Sequence, residues 1–157
     1  MYPTSGSSPA GVWLRRNPHD VPIGQIWFEL DGAEGGVLKP ADIQDPSQTL
    51  DMWRGVITSR FRIQGTNVAV TTVAHPNLDL VAVRVESSLI ASGKLRVRFG
   101  FPRGHDLEVK NTPSLDWSAP ERHTTTVVSQ TVNRVNLERR IDDTRYFASI
   151  GLSLIHI

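Results

Sequence analysis

The chain has no cysteine and no long apolar run, and each absence excludes a class of protein. Without cysteine it can form neither a disulfide nor a thiolate metal site. Its five histidines lack both the i, i+4 spacing of a helical zinc site and the alternating spacing of a strand site. No apolar stretch approaches the roughly 20 residues that a membrane-spanning helix needs. The sequence therefore predicts no bound metal, no other cofactor and no membrane span.

A strong charge of either sign is also missing. Seventeen lysines and arginines against sixteen aspartates and glutamates give a net charge of +1. Nucleic acids and anionic membranes attract proteins through excess positive charge, so we expect neither as a partner. The first residues lack the basic segment and the apolar stretch of a signal peptide, so the sequence does not indicate a compartment.

The length of 157 residues is typical of one domain, which at this size buries roughly two thirds of its unfolded surface. Residues 1–10 read as a disordered or linker-like leader, and residues 11–151 as a β-sandwich domain. Residues 152–157 (LSLIHI) match the translated adapter of a transposon-based sequencing library. We expect these six residues to be foreign and the natural chain to continue. The alternative is a genuine apolar strand at the C-terminus.

The stretch 50–102 contains four runs of strand length, each closed by residues typical of turns. The four runs are residues 56–63, 67–75, 80–86 and 95–101. In the first run apolar and polar residues alternate, which is the period of a half-buried strand. Gly65 supplies a tight turn before the second run, and Pro76 ends that run. Short connections between the runs predict a four-stranded antiparallel meander.

Further runs of strand length precede and follow this stretch. They are residues 11–16, 22–30, 37–39, 107–110, 124–132, 134–139 and 144–150. Residues 40–51 contain two prolines and predict a long connection, with at most one helical turn at 47–53 capped by Ser47. Strands arriving roughly every 8–12 residues, without a convincing helix, predict an all-β fold. We expect an antiparallel β-sandwich with little or no helix.

The sequence shows no signature of nucleophilic catalysis. It contains no Gly-x-Ser-x-Gly elbow, no Ser-x-x-Lys pair and no phosphate-binding loop. Acidic residues cluster at Asp42, Asp45 and Asp51, and again at Asp142 and Asp143, in polar segments where turn and capping roles are usual. Glycoside hydrolysis needs an acid and a base on either side of the scissile bond, and no such pair can be named. We therefore predict no catalytic residue in this chain.

The run from Gln48 to Ser87 resembles a pattern found in bacterial glycoside hydrolases. The shared features are Leu50-Asp51-Met52-Trp53-x-Gly55, Ala74-His75-Pro76-x-x-Asp79, Ala82-Val83-Arg84 and a stretch from Leu95 that ends in Phe101-Pro102. Enzymes of this kind, as in glycoside hydrolase families 65 and 95, carry an N-terminal supersandwich of β-strands before an (α/α)6 catalytic barrel. The resemblance implies that this chain is the non-catalytic sandwich, that it packs on the barrel, and that the whole enzyme acts on carbohydrate.

A sugar site combines polar donors with a flat apolar surface. Arg16, Asn17 and His19, with Trp53 close behind, offer that mixture and are the predicted substrate-binding residues. The alternative is a turn that only closes the sheet. For the whole chain the alternative function is a self-contained carbohydrate-binding or adhesive module, because sandwiches serve many functions. A domain that packs on a barrel should instead leave an apolar patch exposed when alone.

Overall fold

The computed structural model describes residues 8–11, 23–31, 38–104 and 115–153. The strands in these ranges are β1 (Gln25–Leu30), β2 (Ile43–Asp51), β3 (Val56–Ile63), β4 (Thr66–Ala74), β5 (Val81–Glu86), β6 (Leu95–Gly100), β7 (His123–Gln130), β8 (Arg134–Ile141) and β9 (Thr144–Gly151). Helix α1 (Ser88–Ala91) and the 3-10 turns Pro40–Asp42 and Pro120–Arg122 connect them. The prediction of an all-β fold of antiparallel strands with little helix is confirmed. None of the helices in the described ranges is long and apolar enough to cross a membrane.

The chain divides into two compact units. The central unit comprises residues 26–98, and the terminal unit comprises residues 1–25 together with residues 99–157. The predicted strand at 107–110 lies outside the described residues, and so do residues 12–16 of the predicted strand at 11–16 and most of the predicted leader. The predicted domain boundaries stay a prediction.

In the central unit, β3, β4 and β5 form an antiparallel meander, as the alternating pattern predicts. The turn between β3 and β4 is Gln64-Gly65, where both residues have positive φ, 50° and 75°. This is the geometry of a two-residue hairpin whose twist matches that of its strands, and glycine adopts it without strain. Gln64 and Gly65 therefore fix the register of the hairpin formed by β3 and β4.

The fourth strand of this sheet is β2, not β6, so two of our predictions are wrong. Residues 43–51, which we expected to form a connection with a helical turn, form a nine-residue edge strand paired with β3. Pro46 fits because the pairing is interrupted between Gln44 and Ser47, where no ladder hydrogen bond from proline is needed. Asp45 takes a positive φ of 47° in this bulge and forms an ion pair with Arg62.

Strand β6 leaves the meander and pairs with β1 instead. Helix α1 redirects the chain, and the Ser87 hydroxyl caps it by accepting a hydrogen bond from the Leu89 backbone N–H at 3.3 Å. Leu89 lies in α1 and Leu95 at the start of β6, and both are buried. Burial of these two leucines therefore explains why β6 does not continue the first sheet.

The core of the central unit lies between the two sheets. Its buried residues are Leu30, Ile63, Val68, Leu89 and Leu95, packed by Phe28, Leu38, Phe61, Val70, Val85 and Ile90. The rings of Phe28 and Phe61 meet across the sheets with their centroids 6.4 Å apart. Because these residues come from both sheets, the central unit has the face-to-face packing of a small sandwich.

The terminal unit is built on the antiparallel sheet β7–β8–β9. One face of β8 is buried and carries Leu137, Arg139 and Ile141. On the opposite face Glu138 binds Arg140 at 2.5 Å and Arg145 at 2.7 Å. The strand thus alternates as a half-buried strand should, but with an arginine on its buried side.

We expect the two ends of the sheet in the central unit to respond very differently to truncation. Ile63→Ala, at the covered end, should lower the free energy of unfolding by roughly 2–5 kcal/mol because it leaves a cavity. Val83→Ala, on the same face but exposed, should change it by less than about 0.5 kcal/mol. Urea unfolding followed by circular dichroism measures both, and equal losses would contradict the placement of the core.

Candidate functional site

The inner face of the four-stranded sheet is mainly apolar, with Gln48, Ser59 and Thr72 as polar exceptions, and the core covers only part of it. Ser59, Val70 and Val85 are cross-strand neighbours near the core. Two positions further along, the row of cross-strand neighbours consists of Leu50, Ile57, Thr72 and Val83. In this row Leu50 is 56% exposed and Val83 is 43% exposed. Strand alternation puts both rows on one face, so apolar side chains continue beyond the core into solvent.

Two connections extend this exposed surface. Asp51 pairs with Val56, and Val56 pairs with Val73, so the β2–β3 turn and the β4–β5 connection lie at the same end of the sheet. Both connections carry exposed apolar side chains. We call the whole surface the open end, and it consists of Leu50, Met52, Trp53, Leu78, Leu80, Val81 and Val83.

The backbone of both connections is fixed by short-range hydrogen bonds. Asp51 Oδ1 accepts hydrogen bonds from the backbone N–H groups of Trp53 and Arg54, each at 3.1 Å. His75 Nδ1 accepts from the Asn77 N–H at 3.1 Å, and the His75 N–H donates to the Leu80 carbonyl at 2.8 Å. His75 is thus a turn histidine that is bonded to the backbone. The open end is thus carried by ordered turns.

Trp53 is the one predicted sugar-binding residue that the structure describes. Its side chain is 100% exposed at the tip of the β2–β3 turn. Arg16, Asn17 and His19 lie outside the described residues. The prediction that these three and Trp53 bind a sugar together stays a prediction.

The terminal unit contains a second unusual feature, a fully buried arginine. Arg139 is 0% exposed, and its Nη1 donates to His123 Nδ1 at 2.9 Å and to Thr125 Oγ1 at 2.7 Å. Its Nη2 donates to the Pro102 carbonyl at 3.3 Å, and the Phe101 ring lies 5.6 Å from the guanidinium carbon. We call these five residues the Arg139 cluster. A buried charge of this kind costs free energy unless hydrogen bonds and an opposite charge compensate it.

A buried ion pair lies close to this cluster. Arg103 Nη1 and Asp116 Oδ2 are 3.3 Å apart, and both residues are buried. Their backbones also bond reciprocally, at 3.2 Å and 2.7 Å, and Asp116 Oδ1 accepts from the Ser118 N–H and hydroxyl. Asp116 therefore balances the charge of Arg103.

The hydrogen bond from Arg139 defines the state of His123. Because a guanidinium only donates, His123 Nδ1 must present its lone pair, so the imidazole is neutral with its proton on Nε2. Burial lowers the pKa of His123, and the nearby charges of Arg139 and Arg103 lower it further, against weaker opposition from Asp116 and Glu121. The neutral imidazole is thus the form that holds the cluster together.

Sequence reasoning missed Arg139, although a signal for it existed. In β8 the residues Val135, Leu137 and Ile141 are apolar with a period of two, and Arg139 falls in the same phase. An arginine in the apolar phase of a strand is a candidate buried charge. His123 and Thr125 gave no such signal, because only the register with β8 brings them to Arg139.

Most acidic side chains in the described ranges are held by arginines or by backbone groups. Glu29 binds Arg98, Glu86 binds Arg84, and Glu138 binds two arginines. Hydrogen bonds from Arg145 and Arg140 lower the pKa of Glu138. The Glu138 carboxylate is thus stabilised as an anion, which suits ion pairing better than proton donation. Within the described residues no group of three or more histidine or acidic side chains is arranged to hold a metal ion.

No family model matches the chain, and neither a curated protein nor a solved structure matches it. The resemblance to the sandwich domains of glycoside hydrolases therefore stays a prediction. The function has to be argued from the open end and the Arg139 cluster.

Protonation of His123 should weaken the terminal unit. Since the pKa of His123 is lower in the folded chain than its ordinary 6.5, its contribution is present above pH 6.5 and is lost as the pH falls through the folded value. His123→Asn keeps an acceptor for Arg139 and removes the titration. We expect the unfolding free energy of the wild type, measured with urea at pH 7.5 and 5.0, to fall more than that of His123→Asn.

The matched control is His75→Asn, which alters an exposed turn histidine in the central unit. This variant should change the pH dependence of the wild type less than His123→Asn does. If His123→Asn and His75→Asn changed the pH dependence equally, the assignment to His123 would be wrong.

Proposed function

We propose that this chain is a non-catalytic domain of a glycoside hydrolase, and that its open end packs on an (α/α)6 catalytic barrel and helps to shape the sugar pocket. The open end is the observation that carries this proposal. It continues the apolar inner face of the sheet past the core, and a surface of this kind is typical of a docking site. Carbohydrate is then the ligand of the whole enzyme.

The location of the resembling motifs supports the same conclusion. The motif around Trp53 and the motif around His75 are more than twenty residues apart in sequence. Register nevertheless brings them to one end of the sheet, and Val83 of the third motif lies beside them. Motifs shared with domains that pack on a barrel would be expected to coincide with the packing surface.

The chemistry of the open end favours a protein partner. Its side chains are mainly valine, leucine, methionine and tryptophan, and Trp53 stands on a turn fixed by Asp51. Tryptophan on a preorganised backbone is a frequent anchor in protein interfaces, because its large surface is buried at little cost in conformational entropy. A barrel surface with an apolar pocket would match it.

The coding DNA beyond the codon for Gly151 tests the proposal at the level of sequence. We expect an open reading frame of several hundred residues that reads as repeated helical hairpins. An immediate stop codon in genomic DNA would contradict the proposal.

Charge placed on the open end of the intact enzyme should disrupt docking. Val81→Lys combined with Val83→Lys should leave the isolated chain folded, because both valines are exposed. In the intact enzyme the same variant should lower kcat/KM roughly tenfold or more, since two buried charges at an interface lack partners. The matched control is Val128→Lys with Val132→Lys, two exposed valines outside the open end, which should leave kcat/KM unchanged. Equal effects of the two double variants would count against the docking surface.

A self-contained carbohydrate-binding module is the second candidate, and the full exposure of Trp53 favours it. Sugars stack their apolar faces on flat aromatic rings, and a ring fixed by a turn is suited to that contact. Titration of the chain with oligosaccharides, followed by tryptophan fluorescence, distinguishes the two functions. The module predicts binding that Trp53→Ala abolishes and Trp117→Ala leaves intact, and that Asn17→Ala with His19→Ala weakens. The docking proposal predicts no binding by the isolated chain.

A further inference from the structure

Within the described ranges, strand β5 is a free edge of the four-stranded sheet. The opposite edge, β2, is interrupted by a bulge that contains Pro46 and Asp45, and irregularities of this kind keep a second chain from pairing. Strand β5 pairs with β4 without a register shift, and its sequence contains three valines and no proline. A regular edge strand is a template to which a further strand can be added.

The direction of the backbone groups in β5 follows from one hydrogen bond. The His75 N–H donates to the Leu80 carbonyl at 2.8 Å, so Leu80 directs its backbone groups toward β4. In an antiparallel ladder this direction alternates from one residue to the next. The residues whose N–H and C=O groups point to the free edge are therefore the three valines, Val81, Val83 and Val85. No strand among the described residues pairs with β5 on that side.

A second copy of β5 is complementary to this edge. Two identical strands pair antiparallel about a twofold axis, and the residue on the axis must direct its backbone groups to the edge. With Val83 on the axis, Val83 lies opposite its counterpart, and Val81 lies opposite Val85. All three outward valines then form hydrogen-bonded pairs, and valine lies beside valine on the inner face of the sheet.

The other two valines are less suitable for the axis. With Val85 on the axis, Val83 would pair with Ser87, whose carbonyl already accepts a hydrogen bond from the Ile90 N–H at 3.2 Å. With Val81 on the axis, Val83 would pair with Asp79, which lies in the bend that precedes β5. Only the register centred on Val83 keeps the pairing of all three valines within the extended strand.

The charged side chains of β5 are compatible with this register. Arg84 and Glu86 share the outer face of the sheet and form an ion pair within one chain, with Arg84 Nη2 and Glu86 Oε1 2.9 Å apart. Across the axis Arg84 would lie opposite Ala82, which is small and neutral. Like charges therefore do not lie directly opposite each other, an arrangement that would destabilise the pair.

We propose that two copies of this chain associate through their β5 edges, antiparallel and with Val83 on the twofold axis. The two four-stranded sheets then form one continuous sheet. The proposal does not rest on the docking function, because it uses backbone groups at the edge of the sheet, whereas docking uses side chains of the open end. Two paired strands bury less surface than a standard protein interface, so the association is weak and reversible.

The absence of cysteine allows a test by disulfide formation in the full chain. In Val83→Cys the two introduced residues face each other with Cα atoms about 5.5 Å apart, a separation that a disulfide spans. The matched control is Val81→Cys, on the same edge and face, where the two Cα atoms would be roughly 14 Å apart. Under mild oxidation we expect Val83→Cys to form the disulfide dimer about tenfold faster or more. Random collisions would give the opposite order, because Val81 is more exposed than Val83.

A second variant tests whether backbone pairing carries the association. Val81→Pro removes an outward N–H, and an edge strand tolerates proline where that group faces solvent. Combined with Val83→Cys, it should slow disulfide formation to the rate of Val81→Cys, whereas Val81→Thr combined with Val83→Cys should keep the fast rate. Circular dichroism checks that each variant is folded, and the comparison of Val83→Cys with Val81→Cys decides alone if Val81→Pro is not. The proposal is overturned if these two cysteine variants react equally fast, or if a folded Val81→Pro leaves the rate of Val83→Cys unchanged.

Discussion

The core of the central unit covers one end of a sheet face that is mainly apolar. Phe28 from β1, Leu89 from α1 and Leu95 from β6 pack over the end that carries Ile63 and Val68. Helix α1 contributes its leucine here and turns the chain toward β6, which pairs with β1 in a second sheet that has two strands within the described ranges. A two-stranded layer is too narrow to cover four strands, and the open end is the uncovered remainder. The difference in width between the two sheets thus determines both where the core lies and where the candidate docking surface is exposed.

In the terminal unit the main constraint is electrostatic, because a charged arginine is buried there. Strand β8 turns Arg139 inward, and the cluster keeps it buried through donors and acceptors rather than through a carboxylate. This arrangement holds His123 in its neutral form, so the free energy of unfolding of the sheet depends on pH.

Local pattern predicted most strands and the pairing of β3, β4 and β5, but it did not predict the partners of β2 and β6. The bounds of β3 follow from its alternation and from the Gln64-Gly65 turn, which are local signals. Strand β2 was missed because Pro46 and a polar composition read as a loop, whereas a bulge at an edge accepts both. The departure of β6 from the meander depends on burial of Leu95, a tertiary effect that no local pattern contains. For the same reason the sequence predicts that an apolar patch is exposed but not where it lies. The Arg139 cluster could not be predicted either, because only the register of β7 with β8 brings its residues together.

The most direct test of the docking surface is hydroxyl-radical footprinting with mass spectrometry, since methionine and tryptophan react readily with the radical. Met52 and Trp53 are 82% and 100% exposed in this chain, and Trp117 is 54% exposed in the other unit. The account predicts that Met52 and Trp53 are oxidised in the isolated chain and protected in the intact gene product, while Trp117 is oxidised in the isolated chain and serves as its internal reference. Equal oxidation of Met52 and Trp53 in the two samples would contradict it.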